Sequence, residues 1–253
     1  MPRLDQLLVK QQLAASRTRA QRLIKSGHVR RRDTGARLAK PSEQLADATP
    51  LVVDDAPEER YVSRAGLKLE AVLTALDKRF DGQTVLDVGQ STGGFTDCAL
   101  RFGARHVIGI EVGHGQLARR LCDDPRVSCL EGINARELTR SPAFATLCQR
   151  QPPDTAVMDV SFISQTLILP EIAAALPAGG ELLSLVKPQF ELDASALGKR
   201  GVVRDTHRYA EVRARLEHAC RQSGLTIDHW QPSPIAGGDG NREFLLHAHC
   251  QSA

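Results

Sequence analysis

The chain has 253 residues, 42% of them hydrophobic and 25% charged, with a formal net charge of +3, so it can bury one full α/β core plus a small extra module. Its six cysteines, Cys98, Cys122, Cys129, Cys148, Cys220 and Cys250, have no CxxC or Cys/His ligand spacing, which argues against a zinc site and a disulfide framework and favours a reducing cytoplasm. The opening MPRLDQLLVKQQLAA is broken by Asp5 and Lys10, and no later segment approaches a membrane span, so export by a signal peptide and a membrane location are not expected.

Taken in chain order, the charge is uneven. Residues 1–53 hold eleven Lys+Arg against four Asp+Glu, a net +7, which leaves −4 on the rest. A compact basic module joined to a mildly acidic domain suggests a nucleic-acid-binding appendage. Leu4, Leu7, Leu8 and Leu13 lie near helical spacing, and Ser16 is placed to N-cap a second helix, SRTRAQRLIKSG, that Gly27 ends. Ala20, Leu23 and Ile24 form its inner face. HVRRRDTGARLAKPSEQLADATPLVV then reads as short strands joined by turns. RLDQLL, SRTRAQRLIKSGHV and the KPS turn together resemble the RNA-binding domain of ribosomal protein S-four. That resemblance implies RNA contacts from Arg3, Arg17, Arg19, Arg22 and Lys25; without it, a solvated basic helix face is the alternative.

Three parts are expected: an S-four-like domain over 1–53, a linker over 54–61 and a second domain over 62–253. After the charged DDAPEER, the residues Leu67, Leu69, Val72, Leu73 and Leu76 mark a helix with one buried side. Lys68 lies off that stripe, and a lone lysine on a helix is usually solvated. Then VLDVG, HVIGIE, RVSCLE, TAVMDV and ELLSLV alternate with helices starting near Gly94, Gly115, Arg136 and Ser164, which predicts a doubly wound, Rossmann-like parallel α/β sheet. A helix over 207–222 and the strands LTIDHWQ and EFLLHAH bring the strand count to seven.

The chain is organised around TVLDVGQSTGGFT, a buried strand, a glycine turn and a helix start. Such a turn aims backbone N–H groups at a docked ligand and lets it approach closely. The GxGxxG places hold Gly89, Ser91 and Gly94, so the middle glycine needed beside a pyrophosphate is missing and NAD is disfavoured. Asp87 at the strand end suits a ligand with a charged amino group, such as the methionine end of S-adenosylmethionine. Glu111, ending HVIGIE, is placed to accept from ribose hydroxyls in either cofactor class.

Asp159, Lys187 and Glu243 each stand at a strand end, where an open sheet exposes side chains to its ligand crevice. Singly they also read as a helix cap, a solvated terminus and a local partner of Arg242. VLDVGQSTGGFTDCAL, EVGHGQL, NARELT, MDVSFIS, LVKPQFE, GVVRD and GNREFLL resemble the TlyA family, an S-four domain fused to an FtsJ-like methyltransferase, over essentially the whole chain. The resemblance implies S-adenosylmethionine-dependent 2′-O-methylation of cytidine in ribosomal RNA, with Lys68, Asp159, Lys187 and Glu243 as a catalytic tetrad. It places Asp87, Gly89, Ser91, Gly93 and Gly94 around the methionine end, Glu111 on the ribose and Asn134 near the adenine. Gln90, Glu111 and His114 depart from the family pattern of Ala, Asp and Tyr, and bear on cofactor affinity. Some family members carry haemolysin names.

A ribose hydroxyl is a poor nucleophile whose proton must leave. Two lysines close together disfavour double protonation, while two carboxylates orient them. Lys187 is the favoured proton acceptor. The expected partner is ribosomal RNA or a ribosomal subunit, with oligomeric state open. A non-catalytic RNA-binding assembly factor, a membrane-active lysin and a small-molecule methyltransferase are the rivals; the last leaves the basic domain unexplained.

Overall fold

The computed structural model describes residues 1–14, 16–54, 60–198, 201–237 and 240–251. The chain divides into two compact units, Met1–Arg60 and Tyr61–Ala253. Most of the predicted 54–61 linker lies outside the described residues. Of its ends, Asp54 donates its N–H to His28 O at 2.7 Å, while Tyr61 is buried against Gly66.

In the first unit, α1 (Leu4–Lys10) and α2 (Arg17–Lys25) pack on a short antiparallel pair, β1 (Val29–Arg31) with β2 (Leu51–Val53). Leu4, Leu7, Leu8, Ala20, Leu23, Ile24 and Val29 form one core. Ser16 caps α2 as expected, its Oγ accepting from Arg19 N at 3.2 Å. Asp5 on α1 is wholly buried and accepts from Arg3, Arg17 and Gln21, so it ties both helices together. Burial alone would raise its carboxyl; the three donors outweigh this and hold it well below the usual range.

The second unit is a seven-stranded sheet in the order β5-β4-β3-β6-β7-β9-β8. Here β3 is Thr84–Val88, β4 His106–Glu111, β5 Val127–Glu131, β6 Thr155–Met158, β7 Glu181–Val186, β8 Leu225–Pro232 and β9 Phe244–Cys250. The first five run parallel, and β9 pairs antiparallel with both β7 and β8. Side chains alternate across each strand, giving two apolar layers. Val85, Val107 and Leu183 face α3 (Ala65–Ala75) and α4 (Gly94–Arg101). Leu86, Ile108 and Leu182 face α6 (Pro142–Arg150), α7 (Leu169–Ala175) and α9 (Tyr209–Gln222).

Several helices are shorter than the periodicity suggested. The one expected from Gly115 is a single turn, α5 (Arg119–Cys122). The one near Arg136 is split into a 3₁₀ stretch, Ala135–Arg140, and α6, because Pro142 can only stand at a helix start and Ser141 caps that start instead. Pro170 does the same near the start of α7, after a 3₁₀ turn over Gln165–Leu167.

Candidate active site

The strand order reverses between β3 and β6, and both run toward the same edge. Val88 pairs with Met158, so the glycine turn after β3 and Asp159 after β6 emerge side by side, and Asp159 N donates to Val88 O at 3.0 Å. On the other side of β6, Val186 of β7 pairs with Phe244 of β9. The residue after Val186 is Lys187 and the one before Phe244 is Glu243, so sheet register alone brings both to this edge.

The four candidate catalytic residues form two ion pairs. Lys187 Nζ lies 2.6 Å from Asp159 Oδ1, and Lys68 Nζ on α3 lies 2.5 Å from Glu243 Oε2. Lys68 is buried, not solvated as its position off the leucine stripe suggested. Lys187 and Asp159 line a cavity of about 130 Å³, together with Ser63, Ala65, Gly89 to Thr92, Gly94, Phe95 and Ser161. Lys68 and Glu243 line neither this cavity nor its larger neighbour. Room for the Glu243 carboxylate comes from Gly237, where a Cβ would stand 2.8 Å from its Oε1.

The glycine turn needs glycine for more than one reason. Gly89, at φ +83°, faces the Asp159 carbonyl, which an added Cβ would meet at 2.6 Å. Gly93, at φ +90°, precedes α4 and packs on Leu117 and Leu121. Gly94 abuts Ser63, whose hydroxyl a Cβ would meet at 2.3 Å. Asp87 lines neither of the two cavities of the site; it is fully buried, its Oδ2 accepting from Thr96 Oγ1 at 2.6 Å. Thr96 in turn accepts from Gln90 Nε2 at 2.9 Å, and Gln90 occupies the space left by Gly109 on β4. Burial, reinforced by the charges of Asp159 and Glu111 and opposed by the Thr96 hydroxyl, pushes the Asp87 carboxyl up to about 7.

A second cavity of about 850 Å³ shares Gly89, Ser91, Asp159 and Ser161 with the first, so the two adjoin. Glu111 and Asn134 stand in its wall, with Ile110, Ile133, Val160, Phe162 and Ile168 supplying apolar surface. Glu111 accepts from Ser91 N and Gly113 N, both at 2.8 Å, and two accepted bonds leave a carboxylate further lone pairs. Asn134 Oδ1 caps the following 3₁₀ stretch through Arg136 N, which leaves its amide N–H groups for a ligand. An apolar-walled cavity of this size, a carboxylate at one end and a glycine turn shaped by close approach fit an adenosine with an extended, charged tail.

Three site residues carried no signal of their own in the sequence: Ser63, Ser161 and Phe162, each placed by the fold beside a strand end. Among the candidate RNA contacts, Arg17, Arg22 and Lys25 are exposed and Arg3 and Arg19 half-buried, and Arg3 and Arg17 pair with Asp5. No helix among the described residues is long and apolar enough to cross a membrane, and no group of His, Cys, Asp and Glu among them could hold a metal ion. The six cysteines are free thiols.

Residues 61–250 match the family of FtsJ-like methyltransferases, and residues 2–31 match the S4 domain. The chain is 44% identical to the YqxC protein of Bacillus subtilis (strain 168), covering 98% of this chain and 85% of that one. It is 37% identical to the 16S/23S rRNA (cytidine-2'-O)-methyltransferase TlyA of Mycobacterium tuberculosis, covering 99% and 90%. A solved structure from Streptococcus thermophilus that carries a hemolysin name superposes with a TM-score of 0.73 at 37% identity, covering 100% of this chain and 89% of that one. With an FtsJ-like methyltransferase domain over most of its length and an S4 domain before it, the chain belongs to the TlyA family of FtsJ-like methyltransferases.

Proposed function

We propose that the protein is an S-adenosylmethionine-dependent 2′-O-methyltransferase of cytidine in ribosomal RNA, working on ribosomal subunits in the cytoplasm. The observation that carries this reading is Lys187, paired with Asp159, in the wall of the small cavity where it adjoins the larger one. When bound, S-adenosylmethionine supplies an electrophilic methyl group on a sulfonium that leaves as a neutral thioether. Gly89 and Ser91 would hold its methionine end, Glu111 its ribose and Asn134 its adenine. Asp87 and Gly93 support the turn from behind.

Lys187 accepts the proton of the attacking 2′-hydroxyl. The O–H electron pair stays on the ribose oxygen, which becomes the nucleophile, and Asp159 balances the ammonium that forms. Holding the hydroxyl and the proton acceptor in one small cavity replaces an encounter in solution by a fixed geometry. The Lys68–Glu243 pair stands behind this cavity as a buried, internally neutral support. The basic first unit would hold the RNA by its backbone through Arg3, Arg17, Arg19, Arg22 and Lys25.

Tritium-methyl transfer from S-adenosylmethionine to ribosomal subunits lacking the modification, followed by mapping of 2′-O-methyl marks, tests this reading. Incorporation at a cytidine ribose is expected. Binding to subunits with no incorporation would reduce the protein to an RNA-binding assembly factor.

A further inference from the structure

Lys187 has two neighbours on one short turn, and they hold it differently. Asp159 Oδ1 is 2.6 Å from Nζ, yet that oxygen has no aligned hydrogen-bond donor, so the contact is one of charge. Ser161 Oγ accepts a hydrogen bond from the same Nζ at 2.8 Å. The directional restraint on the amine therefore comes from the serine. Ser161 also lines both cavities, at the boundary where hydroxyl and methyl donor must meet.

The turn is tied to the lysine's own helix. The next residue, Phe162, sits at φ +63°, a conformation that a bulky side chain adopts only when its surroundings enforce it. Its ring packs on Phe190 of α8 (Pro188–Glu191) with centroids 5.1 Å apart. Ser164 Oγ and Gln165 N both donate to Glu191, the last residue of α8, at 2.6 and 2.8 Å. Lys187 opens α8 and Ser161 opens the strapped loop, so the distance between them is held from both sides.

We propose that Ser161 is the positioning residue of the proton acceptor. A neutral lysine amine has two N–H bonds and one lone pair. With an N–H committed to Ser161 Oγ and the amine drawn toward the 159–161 turn, the lone pair is left toward the cavity, where the 2′-hydroxyl proton arrives. Without Oγ, no directional bond fixes the amine, and its lone pair is no longer held toward the cavity. This inference rests on Lys187 being the proton acceptor.

The test uses the full-length protein in the ribosomal-subunit assay. Ser161→Ala is expected to lower kcat by about tenfold, the size of a lost hydrogen bond, with KM for subunits and the calorimetric Kd for S-adenosylmethionine within about twofold of wild type. Ser161→Thr keeps the hydroxyl at an exposed position with room for a methyl group, and is expected to return kcat to within about threefold. A second readout needs neither cofactor nor RNA: acylation of Lys187 by limiting acetic anhydride, followed by mass spectrometry, should slow several-fold in Ser161→Ala and recover in Ser161→Thr. Wild-type kcat and labelling in Ser161→Ala overturn the proposal. So does a kcat loss that tracks a weaker cofactor Kd and that Thr does not rescue, because Ser161 is then a cofactor contact. Lys187→Ala, run alongside, separates the layers. If it is inactive while Ser161→Ala is unaffected, only the Ser161 assignment fails; if it stays active, the proton-acceptor reading fails and takes this one with it.

Discussion

Lys68 Nζ and Glu243 Oε2 lie 2.5 Å apart although 175 residues separate them in the chain. Their side chains are 11% and 3% exposed, so neither charge has water to fall back on. Lys68→Met or Glu243→Leu alone should cost about 3–5 kcal/mol of stability by stranding the other charge. The double variant should recover most of that loss in urea unfolding and remain catalytically impaired. Single variants as stable as wild type would show the pair to be solvated.

Lys187→Ala should abolish methyl transfer, by 100-fold or more as for a general base of ordinary strength, while S-adenosylmethionine binding by calorimetry stays within about twofold. Glu111→Ala should do the reverse and weaken cofactor binding by about tenfold or more, since about 1.4 kcal/mol of lost hydrogen bonding suffices. It should also loosen the turn, because Ser91 N and Gly113 N lose their acceptor.

The Asp87 carboxyl, pushed up to about 7 first by burial, makes stability depend on pH with a defined sign. An unfolded aspartate releases its proton near pH 3.9, so between about 4 and 7 the native state holds a proton that the unfolded state has lost, and stability falls as pH rises. Asp87→Asn should remove this slope, gaining on the wild type by on the order of 4 kcal/mol across that window. Urea titrations at the two ends of the window measure it; parallel curves would mean that Asp87 ionises normally.

Gln90 and Gly109 should behave as one unit. A Cβ at Gly109 would stand 2.0 Å from Gln90 Cδ, so Gly109→Ala must drive Gln90 off Thr96. A loss of about 1–3 kcal/mol is expected from overpacking. Adding Gln90→Ala vacates the space and should return most of it, a non-additivity that a double-mutant cycle reads directly.

In the S4 unit, Arg17 and Lys25 should separate fold from RNA binding. Arg17 donates to the buried Asp5 at 2.9 Å, so Arg17→Ala should increase amide exchange in α1 as well as weaken binding to ribosomal RNA. Lys25→Ala should weaken RNA binding alone, with the salt slope shallower by about one if it meets a phosphate. Because its partners hold Asp5 below the normal carboxylate range, the stability it contributes is present above about pH 4 and is lost as pH falls further. Equal amide exchange in both variants would contradict this division.

The glycine turn, the seven strands and the strand-end residues were legible in the sequence because each rests on a local pattern: an apolar run, a breaker, a polar residue just past it. The burial of Lys68 was not, since it depends on Glu243, which reaches it only through the antiparallel register of β7 and β9. Asp87 and Gly93 neighbour the turn in sequence, but the burial of Asp87 and the packing of Gly93 on Leu117 and Leu121 appear only in three dimensions. Gln90 was visible as a departure from the family, but its fit requires Gly109 on the adjacent strand. Ser161 has no pattern that a serine could carry in sequence.

The antiparallel return of β9 also orders events during translation. The S4 unit is made by residue 60, and Lys68, Asp159 and Lys187 follow, with Glu243 made after all of them. A nascent chain can thus acquire its grip on RNA long before the partner of Lys68 exists. The antiparallel edge of the sheet forms only once β9 has been made, so chains released before it would carry the S4 unit without a finished second unit.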